Sequence, residues 1–388
     1  MPKTISRGTC LFVLLLCLSL ILQAHASDGA EQNPEDLIPA FDSLLSFTKN
    51  GSQTQLDAEL VERLLDFVAS SKDLGDSLSL GKRQGGASDY YEFLIDRPLK
   101  EVLKFTFSKD IPPYITAPST LRLSYWIEAN GEKGPLELNA DILDASSEAV
   151  VIKGREFLEN TPDTNSGAYY SYELDRAVIF TRHRGNRVLI STSEQRDRSS
   201  VGKKALILGS DDDWNYLYTG ETGCILAGLG WTRSYMYHSS AIIVYYETSV
   251  PYPRVKYAIL KWLRAGWSGF NLVKPRYLRK GVERYAKALK EIIESPYLQD
   301  VSGFSETFRK IKKLSTEELK RNARLYYKEL RDCHHEDNNL SMKWFIELFK
   351  DDFYLESITR EELEAIANLE YLKYVLGKRS TFKPLPTP

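Results

Sequence analysis

Hydrophobic and polar positions along the chain follow three successive rhythms. From Leu56, apolar residues recur at Leu60, Val61, Leu64, Leu65 and Val68, the three-and-four spacing of an amphipathic helix. Pro34-Glu35-Asp36 opens a shorter helix before it, with proline at a tolerated first-turn position and acids set favourably against the helix dipole. Residues 72–88 are polar and rich in Gly and Ser, and read as a linker. From Tyr90 to Thr248 the signal is that of strands. Short apolar or alternating runs at 91–95, 102–107, 121–127, 136–143, 149–153, 168–174, 177–183, 187–192, 205–208, 215–218 and 241–246 predict them. Asn130-Gly131 and Gly185-Asn186 predict tight turns. So many strands without intervening helices predict antiparallel pairing, in a sandwich or a curved sheet. Helical spacing is read again over 254–265, 281–294, 305–313, 315–333, 341–351 and 359–376. Two of those starts carry the capping-box pairs Ser315 with Glu318 and Thr359 with Glu362.

The fold class expected is therefore α+β: a short N-terminal helical lead (27–89), an antiparallel β domain (90–250) and a C-terminal helical domain (251–388). Residues 1–26 change the picture of where it works. Lys3 and Arg7 precede the apolar run 11–22, and Ala24-His25-Ala26 offers a small-x-small cleavage site, the layout of a secretory signal peptide. The expectation is an exported protein, periplasmic or extracellular, cleaved after Ala26. Cleavage leaves Cys224 and Cys333, which either form one bridge joining the β and helical halves or stay as two buried thiols.

Charge divides the chain. Residues 27–250 carry 22 Lys and Arg against 34 Asp and Glu, whereas residues 251–388 carry 27 against 19. Residues 252–280 contain no acid at all. Their cations are Arg254, Lys256, Lys261, Arg264, Lys274, Arg276, Arg279 and Lys280, interleaved with Trp262 and Trp267 among other aromatics. Cations mixed with Trp and Tyr suit an anionic lipid surface. They also suit phosphate-bearing strands, but export excludes nucleic acid as the expected partner. The competing reading is a helix that covers the sheet while its cations meet the acidic half.

Between the core runs of 203–246 lie several glycines together with Trp214, Trp231 and Tyr235, which could line a pocket or simply pack. His334-His335-Glu336-Asp337 fits a solvated helix end better than a metal site, since adjacent residues rarely reach one ion. Asp211-Asp212-Asp213 lacks the order of a calcium loop and reads as a polar turn. His183 and His238 read as structural strand histidines, and no phosphate-cradling glycine loop occurs. No metal or cofactor is expected.

One enzyme motif stands out. Gly75-Asp76-Ser77-Leu78 resembles the signature of the GDSL esterases, and Asp332 with His335 has the spacing of that family's other triad partners. The resemblance implies a secreted serine ester hydrolase with Ser77 as nucleophile. It covers only those residues and departs from the family in context: Ser77 follows a predicted helix and precedes strands, and no Gly-x-Asn-Asp block is present. The main expectation is a non-catalytic binding or envelope-associated protein for an apolar or anionic, lipid-like ligand. The hydrolase is the alternative.

Overall fold

The structure, a computed structural model, describes residues 34–49, 55–71, 80–134, 136, 138, 149–163, 166–226, 230–249, 252–298, 301–334, 355 and 357–384. Two helices lead. α1 (Ile38–Thr48) follows a single 3-10 turn at Pro34–Leu37, and α2 (Ala58–Ser70) is capped by Asp57, whose carboxylate accepts from the Leu60 N–H at 3.1 Å.

The strands then build one open antiparallel sheet of eight, in the order β1 (Ala87–Ile95), β13 (Arg254–Trp267), β12 (Ser234–Thr248), β7 (Asn186–Gln195), β6 (Ser171–His183), β4 (Val150–Asn160), β2 (Leu121–Ala129) and β3 (Glu132–Lys133). The class is α+β, as the rhythms predict, and the architecture is a single helix-flanked sheet rather than a two-sheet sandwich. Three further strands, β5 (Ser166–Tyr169), β8 (Lys203–Ile207) and β9 (Tyr216–Thr222), make a small sheet beside it, and β10 (Cys224–Leu226) pairs with β11 (Gly230–Thr232). Both expected tight turns are present. Asn130 and Gly131 take positive φ, as do Arg184 and Gly185, so the second turn is centred one residue earlier than Gly185-Asn186 suggests.

Helices cover both faces. α1 and α2 close one face, where Phe41 packs on Trp262 with ring centroids 5.4 Å apart. On the other face lies α4 (Pro275–Ile293), together with α3 (Leu99–Thr106) and the C-terminal helices α5 (Val301–Lys312), α6 (Thr316–His334) and α7 (Arg360–Val375). Both capping boxes form: Ser315 and Thr359 each exchange hydrogen bonds with the Glu three residues on.

Three expected elements are corrected. Residues 168–174, read as one strand, span the end of β5 and the start of β6, which runs on through 177–183. Residues 254–265 are not a helix but part of β13, the strand between β1 and β12, so the sheet continues past residue 250. The reason is burial on both faces. Val255, Tyr257 and Ile259 point one way while Ala258, Leu260 and Trp262 point the other, all buried, and the consecutive apolar residues at 257–260 hide a two-residue alternation. Residues 102–107, read as a strand, mostly belong to α3, which buries Leu99, Val102 and Leu103 at helical spacing. Its first N–H groups need acceptors, and the Glu247 carboxylate takes the Leu99 N–H at 2.9 Å. The expected strand at 136–143 and helix at 341–351 lie outside the described residues, apart from Leu136 and Leu138.

Candidate functional site

α4 does not sit flush on the sheet. Beneath it is a cavity of about 640 Å³, walled by α4, β4, β6, β7, β12, β13 and the segment around 106–121. Small side chains make the space. One row crosses the sheet in register as Asp89, Lys261, Ala241, Ser193, Arg176 and Gly154. The next runs Tyr91, Ile259, Ile243, Ser191, Val178 and Ile152. Serine and alanine at the centre of these rows leave room that leucine or phenylalanine would fill. Facing them on α4, Tyr277, Gly281 and Tyr285 succeed one another at four-residue spacing on one helix row. A Cβ built on Gly281 would meet nothing within 4 Å.

The walls are mixed. Trp126, Leu158, Leu174, Met236, Ile243 and Val282 supply apolar surface. The floor is polar. Arg176 donates to Glu156 at 2.5 Å and to Ser191 at 2.8 Å, and Glu156 also accepts from Ser124. Tyr257 donates to Tyr245 at 3.0 Å and shares a 2.6 Å bond with Tyr285. Burial pushes Tyr245, Tyr257 and Tyr285 up, and Tyr172 up to about 12, so these phenols stay neutral donors and acceptors. Lys261 donates to Ser239 Oγ at 2.7 Å. Burial holds its pKa down at about 8, with the Arg176 charge pushing the same way. Lys261 is half-buried and lines the cavity.

The basic stretch does not form one surface, because it is half strand. Alternation along β13 sends Lys261 into the cavity and Trp262 into the core against α1. Lys256 pairs with Glu92 at 3.2 Å, Arg254 approaches Asp96 at 3.9 Å, and Arg264 donates to the Gly269 carbonyl at 2.7 Å. Arg279 grips Asp89 through two bonds of 2.7 and 3.0 Å. Lys274, Arg276 and Lys280 remain exposed. They flank Trp267, Phe270, Leu272 and Tyr277, which are 39, 67, 45 and 47% exposed. Leu272 and Tyr277 also line the cavity, so this segment forms its mouth.

Trp214 and Tyr235 are not brought together in a pocket. Trp214 is buried behind the turn Asp211–Asp213, with Lys378 Nζ 4.4 Å from its ring centroid. Tyr235 lies between the cavity-lining Ser234 and Met236, so strand alternation turns it to the opposite face, where Arg198 sits over its ring at 4.3 Å. The side chains of Trp231, Cys224 and Cys333 lie outside the described ones, as do Ser77 and His335. Asp332 is exposed and pairs with Lys328 at 3.2 Å. Asp211 and Asp212, part of the triad read as a turn, serve as acceptors for Arg284 and Lys287.

The cavity floor was missed from sequence. Its signal was faint but present: the serines of Ile190-Ser191-Thr192-Ser193 and Arg176 between two predicted strands, polar types at positions whose face is otherwise apolar. No family model matches the sequence, and neither a curated protein nor a solved structure is significantly similar to it.

Proposed function

We propose that this chain is an exported, non-catalytic binding protein that holds one small amphipathic, lipid-like molecule between the sheet and α4. The observation that carries this reading is the cavity itself. Its volume of about 640 Å³ falls within the roughly 300–1,000 Å³ usual for small-molecule sites. Apolar walls with a few convergent polar groups are the composition such sites have. A fold with no use for the space would gain by filling it, because an unfilled apolar cavity costs stability. Serines 191, 193 and 239 and Gly281 keep it open instead.

The mouth supports loading at an anionic membrane surface. Aromatic and aliphatic side chains exposed together can settle into the headgroup boundary, and Lys274, Arg276 and Lys280 beside them are drawn to anionic lipid. The test is a titration of the full chain with a fluorescent medium-chain amphiphile. Saturable binding of one probe per chain, displaced by unlabelled dodecanol or dodecanoate, is the expected result. Unsaturable or absent binding across chain lengths of about 8 to 18 carbons overturns the proposal.

A further inference from the structure

Among the described residues, the charges that the sheet turns towards the cavity pair off, with Lys261 the exception. At one end of the mid-sheet row, Asp89 gives its two carboxylate oxygens to Arg279 of α4 at 2.7 and 3.0 Å. Towards the other end, Arg176 spends its Nε on Glu156 and Nη1 on Ser191. Lys261 stands between them in the register, separated from Arg176 by Ala241 and Ser193. Its described hydrogen bond goes to a neutral hydroxyl, Ser239 Oγ at 2.7 Å. Among the described residues no carboxylate lies within ion-pair reach of its ammonium.

A half-buried ammonium without a counter-ion is costly, and a methionine or leucine on the same strand position would avoid that cost. The fold therefore gains nothing from this charge. Hydroxyl donors stand around it: Ser239, Ser193, and Tyr172, whose phenol is itself hydrogen-bonded to Ser239. A cation flanked by hydroxyl donors complements a carboxylate, which accepts at two oxygens.

Resting on the binding role proposed for this cavity, we infer that Lys261 anchors the headgroup of the bound molecule, and that this headgroup is a single carboxylate. One uncompensated positive charge matches one negative charge; a doubly charged phosphate would bring a second charge that nothing on the floor meets. The carboxylate sits against Lys261 and Ser239 at the sheet, and the apolar chain runs along the α4 side towards Leu272 and Tyr277 at the mouth. The charged groups around Lys261 and the cavity are Arg176, paired with Glu156, Arg279, paired with Asp89, and Arg284, paired with Asp211, with Asp163 also on the cavity wall; His238, on which the Lys261 charge acts, is held down to about 4 by burial and neighbouring cations and is neutral above that. The nearby phenols of Tyr172, Tyr245, Tyr257 and Tyr285 stay neutral. Preference for the carboxylate should thus fade as pH rises above about 8, where the free ammonium loses its proton.

The experiment compares dodecanoate with dodecanol on the full chain and on Lys261→Met, with Lys261→Gln as the second variant should the first fail to fold. The wild-type chain is expected to bind the carboxylate at least about tenfold more tightly than the alcohol, the scale of one charge-assisted hydrogen bond. The variant should lose that preference while its affinity for the alcohol stays within about twofold. Equal affinities in the wild type, or a preference that survives in the variant, would overturn the inference while leaving cavity binding intact. If neither molecule binds the wild type, the cavity reading itself falls, and this inference with it.

Discussion

Gly281 offers the sharpest separation of stability from binding. It is the seventh residue of α4, on the row that faces the cavity. A helical glycine there is costly by roughly 1 kcal/mol relative to alanine, and nothing within 4 Å would oppose an added Cβ. Gly281→Ala should therefore stabilise the fold by about 1 kcal/mol, a rise in Tm of roughly 1–2 °C for a chain of this length. It should leave amphiphile binding within about twofold. Gly281→Trp puts a large ring between Tyr277 and Tyr285, in the space proposed for the ligand. It should keep the stability of the wild type or better, and weaken binding of the probe by more than about tenfold, or 1.4 kcal/mol. Thermal melts and probe titrations of the three proteins decide it. A Gly281→Trp protein destabilised by about 2 kcal/mol or more would show an overpacked site, hence no usable space. A stable Gly281→Trp protein with unchanged affinity would place the ligand elsewhere.

Other perturbations reach different parts of the account. Replacing Lys274, Arg276 and Lys280 with Gln should lower partitioning onto anionic vesicles by roughly a hundredfold, at about 1 kcal/mol per cation, and wild-type partitioning should fall with salt; unchanged partitioning would remove the membrane-loading step. Lys261 carries its penalty where folded and unfolded chains are both protonated, below about pH 8, and the penalty is relieved as pH rises towards the ordinary lysine value. Lys261→Met should accordingly raise Tm at pH 7, and a lowered Tm would assign the lysine a structural role. Burial, reinforced by Arg83, Lys261, Lys49 and Arg264, depresses His238 to about 4, so the unfolded chain binds a proton that the folded chain refuses between about pH 6.5 and 4. Stability should fall by roughly 1–3 kcal/mol on acidification through that window, and His238→Gln should flatten the slope in a melt series. A slope identical in both proteins would contradict this.

Sequence rhythm carried much of the frame and little of the site. Strands such as 187–192 and 241–246, the two glycine-centred turns and both capping boxes were legible because each rests on local chemistry. β13 was not, since both of its faces are buried and its apolar residues fall on consecutive positions. That error had a functional cost. Read as a helix, 254–265 gathers Lys256, Lys261 and Arg264 into a basic surface. Read as a strand, it sends Lys256 to Glu92 and Lys261 into the cavity. The cavity itself is a tertiary property. Ser191, Ser193 and Ser239 look like ordinary polar strand positions until β7 and β12 are set side by side under Gly281. Trp214 and Tyr235, close in sequence and aromatic, were the visible candidates, yet alternation and the intervening turn part them. The exposed aromatic segment 267–277 was already marked by composition, and the structure adds that it borders the cavity.

Photoaffinity labelling shows where on the chain the bound molecule lies. A dodecanoate carrying a diazirine at mid-chain, cross-linked to the full chain and mapped by peptide mass spectrometry, should mark α4 between Tyr277 and Tyr285 and the facing strands β12 and β13. Competition by dodecanoate should abolish the marks. Labels confined to the exposed residues 267–272, or scattered over the surface and insensitive to competitor, would contradict the account.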